Sequence, residues 1–161
     1  MPKISVRSWL LAAPLLLPPA SPAARQHEAA TPAAVVRMFY RYHFAHDMAF
    51  TPAAVRLRAR WLAPDLLARC RAYFAKPGSP DQVPAIDGDP FTDSQEYPAS
   101  FRVGRAQTSR DTALVPVTFS WKSGERRTVT AVLVRGGRPW RLADLRYEAG
   151  KTFRSLLAAK P

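Results

Sequence analysis

The chain has 161 residues, 47% of them hydrophobic and 11% aromatic, and a formal charge of +12. That length suits one domain, the aromatic content excludes a disordered chain, and a single cysteine, Cys70, excludes an internal disulfide. Of the 24 basic residues 19 are arginine, and all but Arg7 are scattered from Arg25 to Arg154 without a basic run, so a GC-rich coding bias explains them better than a nucleic-acid-binding face.

Residues 1–24 read as an export signal. Lys3 and Arg7 make a basic start, Trp9 to Leu17 is an apolar run, and Ala20-Ser21-Pro22-Ala23-Ala24 offers small residues, with cleavage expected after Ala23 or Ala24. The run falls far short of the ~20 apolar residues that cross a bilayer. No Arg-Arg pair precedes it and no cysteine follows it, so neither a twin-arginine signal nor a lipoprotein is indicated. The expected product is periplasmic or secreted, soluble and without stable membrane insertion, and keeps a charge of about +10.

Residues 25–31 form a flexible lead, and 32–161 form a single α+β domain. Thr31-Pro32 starts a helix, with a hydroxyl cap followed by proline at the first helical position. Val35, Val36, Phe39, Tyr40, His43 and Asp47 follow at helical spacing, with Arg37 and Arg41 on the other side. Thr51-Pro52 repeats the signal; Val55, Ala59 and Leu62 make its apolar side, and Arg56 and Arg60 face water. Pro64-Asp65 opens a third helix that buries Leu66, Leu67, Cys70, Tyr73 and Phe74, pairs Asp65 with Arg69, and stops at Lys76-Pro77-Gly78. Gly78 to Pro98 is a long connection carrying six glycines or prolines, a length that in compact domains often marks function.

The period then changes from about 3.6 to 2. Strands are expected over Ser100–Gln107, Leu114–Trp121, Arg126–Arg135 and Pro139–Tyr147, joined by turns at Ser123-Gly124 and Gly136-Gly137. In the last strand the apolar face shifts from Trp140 and Leu142 to Leu145 and Tyr147, which requires a bulge. Gly150 ends it, and a short helix closes the chain. N-terminal helices packed on a curved antiparallel four-stranded sheet, with a short C-terminal helix, is an α+β plan that encloses a conical cavity.

The long connection holds Asp87-Gly88-Asp89-Pro90-Phe91-Thr92-Asp93-Ser94-Gln95-Glu96-Tyr97-Pro98, four of the chain's twelve acidic residues. Its 89–98 part resembles the signature of an exported bacterial family catalogued as domain of unknown function 3828. The resemblance continues through Val35-Val36-Arg37-Met38-Phe39-Tyr40, Val115-Pro116-Val117-Thr118-Phe119, Trp140-Arg141-Leu142-Ala143-Asp144-Leu145, Tyr147-Glu148 and Ser155-Leu156-Leu157. It implies the cystatin-like cone of nuclear transport factor two and no activity, because the family carries none; the wider fold hosts enzymes, scaffolds and immunity proteins, so it does not choose among them.

The acidic segment is not a calcium loop, since Pro90 and Phe91 stand where a ligand and a glycine belong. It reads instead as a turn capped by Asp89 or Asp93, with Gln95 fixing the loop by backbone hydrogen bonds. A second reading has Asp89, Asp93 and Gln95 lining the mouth of the cavity, with Trp121 beneath and Tyr40 in its wall, and holding a small polar ligand. A cavity carboxylate with a raised pKa would make the protein a proton-transfer enzyme. His43, His46 and Asp47 could ligate zinc or iron, but such a short group is more often the polar edge of a helix, and no metal or cofactor is expected. Cys70 reads as a buried structural thiol. The sequence therefore points to an exported, non-catalytic protein that binds an unknown small ligand or a partner protein. The alternatives are a small-molecule enzyme and an immunity-type protein that blocks a toxin. Nucleic acid is not an expected partner, and a homodimer through the outer sheet face stays open.

Overall fold

The computed structural model describes residues 31–76, 86–136, 139–148 and 150–159. Residues 1–24, which the sequence reads as an export signal, nearly all of the lead and residues 77–85 of the long connection lie outside the described residues. No described helix is long and apolar enough to cross a membrane.

Helix α1 spans Pro32–Phe44, and the Thr31 hydroxyl accepts the Ala34 amide proton with proline in the first turn. Helix α2, Pro52–Arg58, repeats the same cap with Thr51 and Ala54 and runs into a single 3₁₀ turn at Ala59–Trp61. Each cap satisfies an amide that the first turn leaves without a partner, while proline occupies a position where no amide is needed. Helix α3 is Pro64–Ala75. Between the 3₁₀ turn and α3, Leu62 bridges Leu142, and the Ala63 amide donates to the Leu142 carbonyl at 2.7 Å. This short pairing occupies part of the last strand's free edge.

Five antiparallel strands follow: β1 (Ser100–Val103), β2 (Gln107–Ser109), β3 (Thr112–Ser120), β4 (Arg126–Val134) and β5 (Arg141–Arg146). The main order is β1-β3-β4-β5, and β2 also pairs with β3. The single strand expected over Ser100–Gln107 is thus two pieces, both on the same edge of β3. Pro116 accounts for the break. Its carbonyl accepts the Gly104 amide, so its missing N–H faces that same edge, where the ladder cannot continue. Gly104 fits there because a Cβ would lie 2.8 Å from the Pro116 ring.

One face of the sheet builds the core. Ala113, Val115, Val117 and Phe119 of β3 and Val129, Ala131 and Leu133 of β4 are fully buried, each two residues from the next. On β5 the ladder pairs Val132 with Asp144 but Leu133 with Leu142, so Ala143 is the extra residue of a bulge. That bulge lets both Leu142 and Leu145 face inward. Helix α4, Phe153–Ala158, starts with a capping box between Thr152 and Ser155 and buries Phe153 and Leu157 against α3 and β5. The result is the α+β arrangement expected from the change of period.

Deleting Ala143 should turn either Leu142 or Leu145 to solvent. A loss of at least roughly 3 kcal/mol is expected in urea denaturation, against under about 1 kcal/mol for Ala143→Ser.

Candidate functional site

Four polar residues, His43, Arg58, Asp89 and Thr92, lie inside this apolar core, none more than 2% exposed. His43 sits on the inward side of α1, one turn beyond Phe39 and Tyr40. Arg58 closes α2 on the same side as Ala54 and Val55. Asp89 and Thr92 come from the acidic segment. Arg58 Nε donates to His43 Nδ1 at 2.8 Å, and His43 Nε2 lies 2.8 Å from Asp89 Oδ2. Because Nδ1 accepts, the ring proton belongs on Nε2, which donates to the carboxylate. A neutral imidazole thus bridges a guanidinium and a carboxylate.

Every other polar atom of the relay is also engaged. Arg58 donates to the carbonyls of Ala54 (2.9 Å) and Asp47 (2.7 Å). Asp89 Oδ1 accepts the Phe91 amide at 2.9 Å, and Oδ2 accepts the Thr92 hydroxyl at 2.6 Å. Among the described residues no buried side-chain nitrogen or oxygen lacks a partner. Such completeness is what makes a buried charge pair tolerable, since desolvation otherwise exceeds the Coulombic gain. Burial pulls the Arg58 guanidinium below its usual range, and Asp89 opposes that pull.

The same loop is held from two further directions. Tyr40 donates its hydroxyl to the Phe91 carbonyl (2.7 Å) and Tyr147 to the Pro90 carbonyl (2.9 Å). Burial, reinforced by the nearby carboxylates, raises both phenols well above their ordinary range. Asp89 and Ser94 exchange backbone hydrogen bonds, which closes the turn. Gly88 makes this closure possible: its φ is +104°, and a Cβ there would fall 2.5 Å from the Ser94 carbonyl oxygen.

The outer side of the loop borders an open groove of about 610 Å³. The 86–96 segment contributes Asp87, Asp93, Gln95 and Glu96; the β3–β4 hairpin contributes Trp121, Glu125 and Arg127; Tyr147 and Lys151 complete it. Arg127 is held by three contacts. It donates to the Asp93 carbonyl, donates to Glu125 Oε1 at 3.0 Å, and lies over the Trp121 ring at 5.6 Å from the centroid. The Trp121 indole N–H donates to the Glu96 carbonyl at 2.8 Å, fastening the loop to the hairpin. Burial raises the Asp93 carboxyl above the usual carboxylate range, with Arg127 acting against it.

Asp89, Asp93, Gln95 and Trp121 therefore border one groove, but they do different things. The Asp89 carboxylate is turned into the relay. Gln95 donates to the Asp87 carboxylate instead of fixing the backbone. Tyr40 lies outside the groove, in the core. His43 is a core residue and not a polar helix edge, while His46 is exposed and stacks on Tyr42. Among the described residues no three His, Cys, Asp or Glu side chains are grouped to hold a metal. Arg58 is the functional-looking residue that sequence reasoning passed over; its spacing from Ala54 and Val55 was the available signal.

No family model matches the chain, and no curated protein matches it. Solved structures do. A chain of the native type VI effector-immunity complex Tae3-Tai3 from Ralstonia pickettii is 26% identical, with a TM-score of 0.55 over 74% of this chain and 96% of that one. In the selenomethionine form of the same complex the values are 26%, 0.54, 73% and 97%.

A double-mutant cycle should expose the relay. Arg58→Met or Asp89→Asn alone should cost about 3–5 kcal/mol, because each strands a buried group, and the double variant should cost clearly less than the sum. Alkali should also unfold the protein early. Burial raises the Cys70 thiol from its ordinary 9.0 to about 12, and the two phenols are raised likewise. Folded-state values above unfolded ones mean that this stability is complete below about pH 9 and is lost as pH rises through the folded values. Equilibrium unfolding across pH 7–12 should show that plateau and fall, and Cys70 should resist thiol reagents at pH 8 until denaturant is added.

Proposed function

We propose that this chain is an immunity-type protein: a non-catalytic domain that binds and blocks a toxic effector in the cell envelope. The observation that carries the reading is the likeness to a chain of the Tae3-Tai3 effector-immunity complex, which spans nearly all of that chain at 26% identity. The site geometry supports it. Asp89, the carboxylate best placed for acid–base work, has both oxygens committed inside the relay. Cys70 is buried and its thiol is held protonated by that burial. What the acidic segment offers outward is a polar rim suited to recognition.

The envelope address rests on the export pattern of residues 1–24, and it is where an effector acting outside the cytoplasm would have to be met. Binding would then require no chemistry from this chain, only a rigid surface held in register by the relay and the two tyrosine anchors.

A gene for a toxic effector is expected beside this chain's own, and its product, directed to the periplasm, should arrest growth. Co-expression of the full chain should restore it, and the two should elute as one complex. Arrest that the chain does not relieve, with the two proteins eluting apart, would sink the reading.

A further inference from the structure

The groove between the acidic segment and the β3–β4 hairpin has a charge opposite to that of the chain around it. Asp87, Asp93, Glu96 and Glu125 face only Arg127 and Lys151 there, in a protein of formal charge +12. Arg127 is already paired with the Asp93 and Glu125 carboxylates, at 3.9 and 3.0 Å. The groove thus keeps unspent negative charge, a volume of about 610 Å³ and an indole in its wall.

We propose that this groove receives a basic segment of the protein partner, with an arginine or lysine side chain entering between Glu96 and Glu125 along the Trp121 ring. Two observations favour a cation over other occupants. The carboxylates outnumber the cations. The Trp121 indole lines the groove beside these carboxylates, with Arg127 5.6 Å from its ring centroid, and an aromatic face next to negative charge suits a cation. The groove floor is anchored, because the loop beneath it is tied to the core through Asp89 on His43 and through Tyr40 and Tyr147. The inference rests on the immunity reading for the identity of the partner, and on the groove alone for its chemistry. Asp93 adds a pH signature. Its carboxyl is raised by burial, so an incoming cation strengthens its ionised form, and binding weakens as pH falls through the carboxylate range.

Two probes separate the parts of this inference. The first is tetra-arginine peptide titrated into the full chain at low salt, with tetra-glutamate as control, read on the Trp121 indole N–H resonance assigned by Trp121→Phe. Tetra-arginine should move that resonance and tetra-glutamate should not. The Asp87→Asn, Glu96→Gln, Glu125→Gln variant should weaken the effect at least roughly tenfold, as should 0.5 M salt. Arg56→Gln with Arg71→Gln, exposed on α2 and α3, should leave it unchanged. An unmoved resonance, or a carboxylate variant that binds as well as the parent, overturns the groove inference. The second probe is the effector expected from the neighbouring gene. If it binds the parent and the carboxylate variant equally, the groove is not its receptor, although the immunity reading stands. If it binds neither while tetra-arginine still binds in the groove, the immunity reading fails and the cation site stands. Thermal unfolding of the variant, expected within a few degrees of the parent, guards against misfolding as the cause of any loss.

Discussion

One buried ion pair, split by an imidazole, organises this molecule. Arg58, His43 and Asp89 come from α2, α1 and the acidic loop, and no two are closer than 15 residues in the chain. A guanidinium and a carboxylate in direct contact would leave several of their hydrogen-bonding positions empty in the core. The interposed neutral ring, two helix-side carbonyls, one amide and one hydroxyl fill those positions. The relay therefore specifies how two helices and a loop meet, more than it adds net stability over an apolar alternative.

That specification matters because the loop has little else of its own. It is too short for regular structure, and it turns sharply at Gly88 and again at Asp93, whose φ is 55°. Its carbonyls at Pro90 and Phe91 are satisfied only by tyrosines from β5's end and from α1. Phe91 inserts among Phe39, His43, Phe50 and Phe153 and brings the loop into the main core. The outer groove is the other side of this anchored segment.

Where local chemistry decides the structure, the sequence was legible. The Thr31-Pro32 and Thr51-Pro52 starts need only their own next three residues, and both helices begin there. The inward set on β3 and β4 follows a period of two, and the phase shift between Leu142 and Leu145 announced the bulge at Ala143. The split of β1 from β2 was missed because it depends on Pro116 in a neighbouring strand. The relay was missed for a similar reason. His43 lay on the apolar side of its helix, but the partner that makes an imidazole acceptable there is 46 residues away. Charge alone argues for placing Arg58 in water, and only His43, with Asp89 behind it, and the Ala54 and Asp47 carbonyls reverse that preference. Asp89, Asp93, Gln95 and Trp121 border one groove and Tyr40 lies in the core, while the inward turn of the Asp89 side chain could not be read from spacing.

The acidic loop alternates its loyalties residue by residue: Asp89, Phe91 and Thr92 look inward, and Asp87, Asp93 and Glu96 look outward. The outward letters can therefore be rewritten repeatedly while the inward ones stay untouched. Recognition can drift in one peptide segment without re-solving the folding problem, so diverged relatives should keep a common interior grammar beneath unlike rims.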